Sequence, residues 1–142
     1  MSVSKKVDFA LESMKQKSLG SVKVLMIEDD SMIQEMVIIK LVSHGCIPYA
    51  TKDGSEAVSM AEQYKPHIII LDLMLPGKTG EEVLKELKEH TDLSNTPIIV
   101  FTNKSSHEDK ETLIKLGADK YFVKAQTDLN DLVTTIKDLV SK

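Results

Sequence analysis

The chain has 142 residues, 42% hydrophobic and 28% charged, with a formal net charge of −4 at pH 7. This length suits one domain with its own core, and the acidic balance, without a basic stripe, argues against nucleic acid as a direct ligand. The apolar runs are too short to span a bilayer and the N-terminus lacks the apolar stretch of a secretory signal, so we expect no membrane partner. The single cysteine, Cys46, cannot form an internal disulfide and is expected as a small core residue of a cytoplasmic protein.

Residues 1–21 form a polar, lysine-bearing prefix. Its apolar residues recur at helical spacing: Val7, Ala10, Leu11 and Met14. A helix of this length is marginal in water unless it docks. The prefix is therefore a lid, a partner contact or a frayed tail, of which we favour the tail. The domain proper is expected over residues 22–142.

From Val22 onward, strand-like runs alternate with helical patterns. Five strands are predicted, at residues 22–27, 46–50, 67–71, 97–101 and 121–123. The inward stripe of the first helix is Ile33, Met36, Val37 and Leu41. The later helices are marked by Ala57, Val58, Ala61 and Tyr64, by Val83, Leu84 and Leu87, by Leu113, Ile114 and Leu116, and by Leu129, Leu132, Val133, Ile136 and Leu139.

Capping signals support these helices. Capping boxes are predicted for Thr79 with Glu82 and for Ser105 with Glu108. Gly45 and Gly117 are placed to end the first and fourth helices.

Strict alternation of five strands and five helices predicts an α/β protein with a parallel sheet covered on both faces. The runs beginning at Val22 and His67 are the most uniformly apolar, so we place them at the centre of the sheet. The prediction is a flavodoxin-like, doubly wound, five-stranded sheet in the order 2-1-3-4-5. Its topological switch point then falls between the first and third strands.

Polar residues follow four of these strands. They are Glu28, Asp29 and Asp30 after the first, Asp72 after the third, Thr102 after the fourth and Lys124 after the fifth. Because the carboxyl ends of parallel strands share one edge, these carboxylates would repel each other unless a cation neutralised them. Oxygen ligands without cysteine or histidine favour Mg²⁺ over zinc. Asp30 is expected only to start the first helix.

This combination suits attack on phosphorus. Asp72 would be the nucleophile, because a metal ion and an ammonium group beside it offset the charge of the incoming phosphoryl oxygens. Thr102 can donate a hydrogen bond to a phosphoryl oxygen, and Lys124 can reach it as a point charge.

With these residues in place, the chain resembles a response-regulator receiver domain of two-component signalling, of the single-domain, chemotaxis-regulator kind. The resemblance rests on Ile-Glu-Asp-Asp after the first strand, Leu-Asp-Leu-Met-Leu-Pro and Thr-Gly after the third, Phe-Thr-Asn after the fourth, and Gly-Ala-Asp-Lys-Tyr-Phe-Val-Lys through the fifth. It implies that Asp72 accepts the phosphoryl group and that Asp29 binds Mg²⁺ directly, with Glu28 binding it through water. It also implies a metal ligand in the backbone carbonyl of Met74, a switch pair in Thr102 and Tyr121, and a phosphoryl contact in Lys124.

The same resemblance implies a signalling switch rather than an enzyme. Its partners would be a sensor histidine kinase or phosphotransfer domain, and a downstream protein that binds the face of the fourth helix, fifth strand and fifth helix. Since no effector domain follows Lys142, we expect output through a partner, or a chain cut from a longer protein such as a hybrid histidine kinase. The histidines are expected at the surface or in turns: His44, His67, His90 and His107.

Three alternative functions share part of this pattern. A flavin-binding module should have a Ser, Thr and Gly-rich loop after the first strand, where this chain has acids. A haloacid-dehalogenase-type phosphatase needs a second aspartate at position 74, where Met74 stands. The third alternative is a receiver-like module that binds partners without phosphorylation; the intact acidic pair, Asp72, Thr102 and Lys124 argue against it, and a phosphorylation assay decides between the two.

The chain departs from the receiver pattern at three positions. Ala125 replaces the usual proline after the lysine, Asn103 is bulkier than the usual neighbour of the threonine, and Glu81 stands where an apolar residue is common. A cis bond before Ala125 would cost about 3–4 kcal/mol. None of these departures removes a residue of the predicted site.

Overall fold

The computed structural model describes residues 19–104 and 107–141, with the backbone alone at positions 107 and 108. The predicted helix of the prefix and the capping box of Ser105 and Glu108 lie outside the described residues. Within the described ranges, every helix is too short or too polar to cross a membrane.

Five strands and five main helices alternate along the described chain. They are β1 (Lys23–Ile27), α1 (Ser31–Ser43), β2 (Ile47–Thr51), α2 (Ala57–Tyr64), β3 (Ile68–Leu71), α3 (Gly80–Glu89), β4 (Ile98–Thr102), α4 (His107–Lys115), β5 (Lys120–Val123) and α5 (Leu129–Val140). Short 3₁₀ turns lie at Gly54–Glu56 and Lys124–Gln126. Each predicted strand end is correct to within one residue.

The sheet is parallel throughout, in the order β2-β1-β3-β4-β5, as predicted. Alternate residues of the central strands face opposite sides, so each strand serves two cores. Leu25 and Ile69 pack on the side of α2, α3 and α4, whereas Met26 and Ile70 pack on the side of α1 and α5. This arrangement buries β1 and β3 on both faces and leaves their carboxyl ends open at one edge.

The sequence prediction was wrong about one side chain of α1. Val37 and Leu41 are buried as predicted, but Met36 is 52% exposed and points away from the core. The reason is that the apolar residues of α1 are spread over several sides of the helix, so that hydrophobic spacing does not identify the buried face.

Helix ends follow the predicted signals closely. Gly45 has a φ of 87° just after α1, and Gly117 has a φ of 112° after α4. Thr79 caps α3, because its hydroxyl oxygen accepts a hydrogen bond from the Glu82 N–H at 3.2 Å. Leu116 lies one residue beyond α4, where its N–H still donates to the carbonyl of Thr112.

Candidate functional site

Glu28 and Asp72 are adjacent because the strands that precede them are paired. Ile27 and Leu71 are register partners in β1 and β3. The ladder continues past the strands, since the Asp72 N–H donates to the Ile27 carbonyl and the Glu28 N–H to the Thr51 carbonyl, both at 3.0 Å. These backbone hydrogen bonds place both carboxylates at the switch point of the sheet, where open α/β sheets bind their ligands.

Three carboxylates come together at this point. Each of Glu28, Asp29 and Asp72 offers one oxygen atom within 4.8 Å of the others. Glu28 is fully buried and Asp72 is 4% exposed, whereas Asp29 is exposed to solvent. The predicted acidic cluster therefore exists, with one open side.

Lys124 reaches this cluster from the 3₁₀ turn after β5. Its ammonium contacts Glu28 Oε1 as an ion pair and donates to Asp72 Oδ2 at 3.0 Å. The same ammonium lies 5.9 Å from the centroid of the Phe101 ring, a distance at which a cation and an aromatic face attract each other. The residue predicted to provide a positive point charge thus stands next to the predicted nucleophile.

The charges of this site are not balanced in the protein alone. The pKa of Glu28 is raised to about 7, because burial and the Asp72 carboxylate raise it by more than the hydrogen bond from Lys124 lowers it. Burial lowers the pKa of Lys124, but its hydrogen bonds to the two carboxylates outweigh this and the pKa is raised. One ammonium group therefore lies among three carboxylates, and the buried Glu28 is the one whose ionised form is disfavoured.

A divalent cation fits this arrangement. Among the described residues, Glu28 Oε1 accepts no hydrogen bond of ordinary geometry, although it is ion-paired with the Lys124 ammonium. A buried carboxylate oxygen in that situation is an available ligand, and the exposed Asp29 leaves room for the waters that Mg²⁺ retains. The donor set contains only oxygen atoms, which suits a hard cation.

Asp30 and Met74 frame the cluster. Asp30 caps α1, with its Oδ1 accepting from the N–H groups of Met32 and Ile33, so its predicted role as a helix start is confirmed. The Met74 N–H donates to Asp72 Oδ1 at 3.3 Å, which puts the Met74 backbone beside the nucleophile. Its carbonyl as a metal ligand stays a prediction.

Two residues that sequence reasoning missed shape the loops of the site. Gln34 donates through its amide to the carbonyls of Glu28 and Thr51, at 3.0 and 3.2 Å, and so ties α1 to the acidic turn. At Gly80 a Cβ atom would overlap the Asp72 carbonyl and the Leu73 Cα, so only glycine allows α3 to begin this close. A glutamine in an apolar helix was a sequence signal for the first of these.

The predicted switch pair lies on β4 and β5. Thr102 is fully buried, and its hydroxyl oxygen accepts from the Lys104 N–H at 3.2 Å, which leaves the hydroxyl hydrogen for another acceptor. Tyr121 is half-buried against the core, and its hydroxyl donates to the Lys104 carbonyl. Burial raises the pKa of Tyr121, with a further contribution from Asp109. Both residues thus contact the backbone of Lys104, in the loop after β4.

The three departures from the receiver pattern form two contacts. Asn103 Oδ1 accepts from the Ala125 N–H at 3.1 Å, a hydrogen bond that proline could not make. Glu81, in the first turn of α3, pairs with Lys104 at 3.4 Å. The bond between Lys124 and Ala125 is trans, as are all peptide bonds of the described residues.

A doubly wound sheet with buried carboxylates and a lysine at its switch point is the arrangement of a receiver domain in two-component signalling. The family model described as the response regulator receiver domain matches residues 24–137. The chain belongs to this family.

Solved structures agree with this assignment. The chemotaxis protein CheY4 of Vibrio cholerae is 29% identical, with a TM-score of 0.78 over 84% of this chain and 99% of that one. The Mn²⁺-bound form of the response regulator Rcp1 is 29% identical, with a TM-score of 0.70 over 84% of this chain and 92% of that one. The receiver domain of the sensor histidine kinase PA1611 from Pseudomonas aeruginosa, solved with magnesium in its active-site cleft, has the same fold at 24% identity, with a TM-score of 0.79 over 87% of this chain and 100% of that one.

Proposed function

We propose that this protein accepts a phosphoryl group on Asp72 from the phosphohistidine of a sensor histidine kinase or phosphotransfer domain. The observation that carries the proposal is the nearly buried Asp72 carboxylate, with the Lys124 ammonium 3.0 Å from one of its oxygens and two further carboxylates beside it. A helix cap or a structural ion pair needs no such surplus of buried negative charge. A site that holds a cation and receives a phosphoryl group does.

Glu28, Asp29 and Asp72 would hold the metal ion, with the Met74 carbonyl as a backbone ligand. The Mn²⁺-bound structure of Rcp1, at 29% identity, supports a divalent cation in a protein of this fold. When bound, Mg²⁺ supplies positive charge that offsets the developing charge on the phosphoryl oxygens. In this chain Glu28 and Asp72 would be the buried carboxylates of the site, with Glu28 acting through water, and Asp29 would be the solvent-exposed direct ligand.

In the transfer step, an oxygen of the Asp72 carboxylate forms a bond to phosphorus while the phosphorus–nitrogen bond to the donor imidazole breaks. The bonding electron pair stays on the imidazole nitrogen, and the product is an acyl phosphate on Asp72. The Lys124 ammonium is placed to contact a phosphoryl oxygen, and the Thr102 hydroxyl hydrogen is available to donate to another. The chain is in this view a signalling switch that assists its own phosphorylation and dephosphorylation.

The output step would use the loop after β4. Phosphorylation adds up to about two negative charges at this edge, and Thr102 would move toward them. Because Thr102 and Tyr121 both contact the backbone of Lys104, such a movement would disturb the Tyr121 hydroxyl and the surface formed by α4, β5 and α5. A downstream protein that binds this surface would then discriminate between the two states, with a coupling of about 1–3 kcal/mol.

Mass spectrometry after incubation with acetyl phosphate and Mg²⁺ tests the phosphoacceptor role. We expect one added phosphoryl group, lost in Asp72→Asn and strongly reduced in Asp29→Ala. Asp92→Asn is the matched control, because Asp92 is an exposed aspartate outside the site. Phosphorylation that persists unchanged in a chelator would rule out the metal assignment. An unmodified wild-type chain would favour a module that binds partners without phosphorylation.

A further inference from the structure

One charged contact joins the loop after β4 to the start of α3. Glu81 lies in the first turn of α3, and its Oε2 accepts a hydrogen bond from the Lys104 ammonium at 3.4 Å. Both side chains are partly exposed, so the ion pair lies at the protein surface. Glu81 stands where the receiver pattern commonly has an apolar residue, and the phosphoacceptor role does not explain this departure.

The α3 end of the contact is built against the phosphoacceptor. Gly80, the residue before Glu81, donates its N–H to the Leu73 carbonyl at 3.0 Å. A Cβ atom at Gly80 would lie 2.3 Å from the Asp72 carbonyl oxygen, which shows how closely the two backbones approach. Glu81 therefore projects from a helical turn that packs directly on the end of β3.

The other end of the contact, Lys104, connects several parts of the site. Its N–H donates to the Thr102 hydroxyl oxygen at 3.2 Å, and its carbonyl accepts from the Tyr121 hydroxyl. Its ammonium forms the ion pair with Glu81. The position of the Lys104 backbone therefore determines where the hydroxyl groups of Thr102 and Tyr121 find their partners.

The two lysines near the site have different partners. The Lys124 ammonium donates to Asp72 at 3.0 Å, whereas the Lys104 ammonium pairs with Glu81. An exposed ion pair contributes little to the stability of a whole domain. It can still hold one loop in place, because a small free-energy difference changes the populations of two alternative loop arrangements several-fold.

We propose that Glu81 is a positioning residue, which holds Lys104 beside α3 and thereby fixes the arrangement of Thr102 and Tyr121 described above. Its role in signalling rests on the proposed function, because Thr102 is the residue that would follow the phosphoryl group. The positioning itself requires no phosphorylation and is measurable in the unmodified chain.

NMR spectroscopy of the unmodified full-length chain tests the positioning. In Glu81→Gln the ring resonances of Tyr121 should shift. The Lys104 amide should exchange with solvent about 1.5- to 5-fold faster, which is the range expected for the loss of an exposed ion pair. The other two tyrosines of the chain, Tyr49 and Tyr64, stack on each other with ring centroids 4.1 Å apart and serve as internal references.

Two further variants separate the ion pair from a general effect of charge. Glu82→Gln removes a carboxylate from the same helical turn, at an exposed residue, and should leave the Tyr121 ring and the Lys104 exchange rate unchanged. Glu81→Lys with Lys104→Glu reverses the pair, and should restore at least half of the Tyr121 shift caused by Glu81→Gln.

These outcomes distinguish the positioning role from the phosphoacceptor role. A Tyr121 shift that occurs in Glu81→Gln, is absent in Glu82→Gln and is restored by the reversed pair supports the proposal. An unmoved Tyr121 ring in Glu81→Gln, an equal shift in Glu82→Gln, or a reversed pair that restores nothing would each overturn it. A chain that acetyl phosphate leaves unmodified would refute the proposed function, and the same spectra would still decide whether Glu81 positions the loop.

Discussion

Replacing Glu28 by glutamine should stabilise the protein in the presence of a chelator, most strongly at alkaline pH. Burial raises the Glu28 pKa from its usual 4.5 to about 7, so the folded protein holds this proton more tightly than the unfolded chain does. The ionised carboxylate therefore opposes folding, fully above pH 7 and progressively less as the pH falls toward 4.5. A pKa difference of this size corresponds to about 3 kcal/mol at pH 8.

The amide of Glu28→Gln has the same shape without the charge, and Lys124 keeps its contact with Asp72. We expect a gain of about 1–3 kcal/mol at pH 8 that shrinks toward zero near pH 5. Urea unfolding followed by circular dichroism, in a chelator at both pH values, measures this directly. Glu35→Gln, an exposed change on α1, is the control and should do little. A gain that is the same at both pH values, or a loss at pH 8, would refute the reasoning.

Three further predictions concern the loops around the site. Asn103→Ala and Ala125→Pro each remove the same hydrogen bond. Their effects on the free energy of unfolding, measured by thermal denaturation, should therefore be non-additive by about 0.5–1.5 kcal/mol; simple additivity would show that the bond contributes nothing. Met74→Asn with Lys104→Glu should shorten the lifetime of the acyl phosphate, because neither native side chain is suited to orient an attacking water; an unchanged lifetime by mass spectrometry would contradict this. Thr102→Ala should leave phosphorylation intact while abolishing the accompanying amide NMR shifts in α4 and β5; shifts that survive in the variant would place the switch elsewhere.

The sequence predicted the sheet well because the positions of the strands and their burial follow from the order and uniformity of the apolar runs. The uniformly apolar runs before Glu28 and Asp72 indicated two central strands, and the carboxyl ends of neighbouring parallel strands lie together at one edge of the sheet. The same logic could not tell which carboxylate is buried, since this depends on how the chain turns after the strand. Glu28 is fully buried and Asp29 is exposed, although they are neighbours.

Where a pattern carried no contrast, prediction failed. In α1 apolar residues lie on several sides of the helix, so Met36 was assigned to the core although it faces outward. Contacts between distant loops were equally invisible. Asn103 and Ala125 are 22 positions apart, and in the sequence each is a separate departure from the receiver pattern. In the fold they are joined by one hydrogen bond.

The unfavourable charge on Glu28 has a thermodynamic counterpart in the affinity of the site for a cation. A ligand stabilises a protein in proportion to how tightly it binds the folded state, and the Glu28 carboxylate is costly only while no cation is present to offset it. Glu28→Gln should therefore lose the Mg²⁺-dependent stabilisation of the wild type while gaining stability in the chelator, so that the two proteins converge as Mg²⁺ is added. Convergence would show that this site gives up stability in the metal-free protein for affinity toward a divalent cation. A constant difference in the free energy of unfolding between the two proteins, at all Mg²⁺ concentrations, would mean that Glu28 destabilises the fold for a reason unrelated to metal binding.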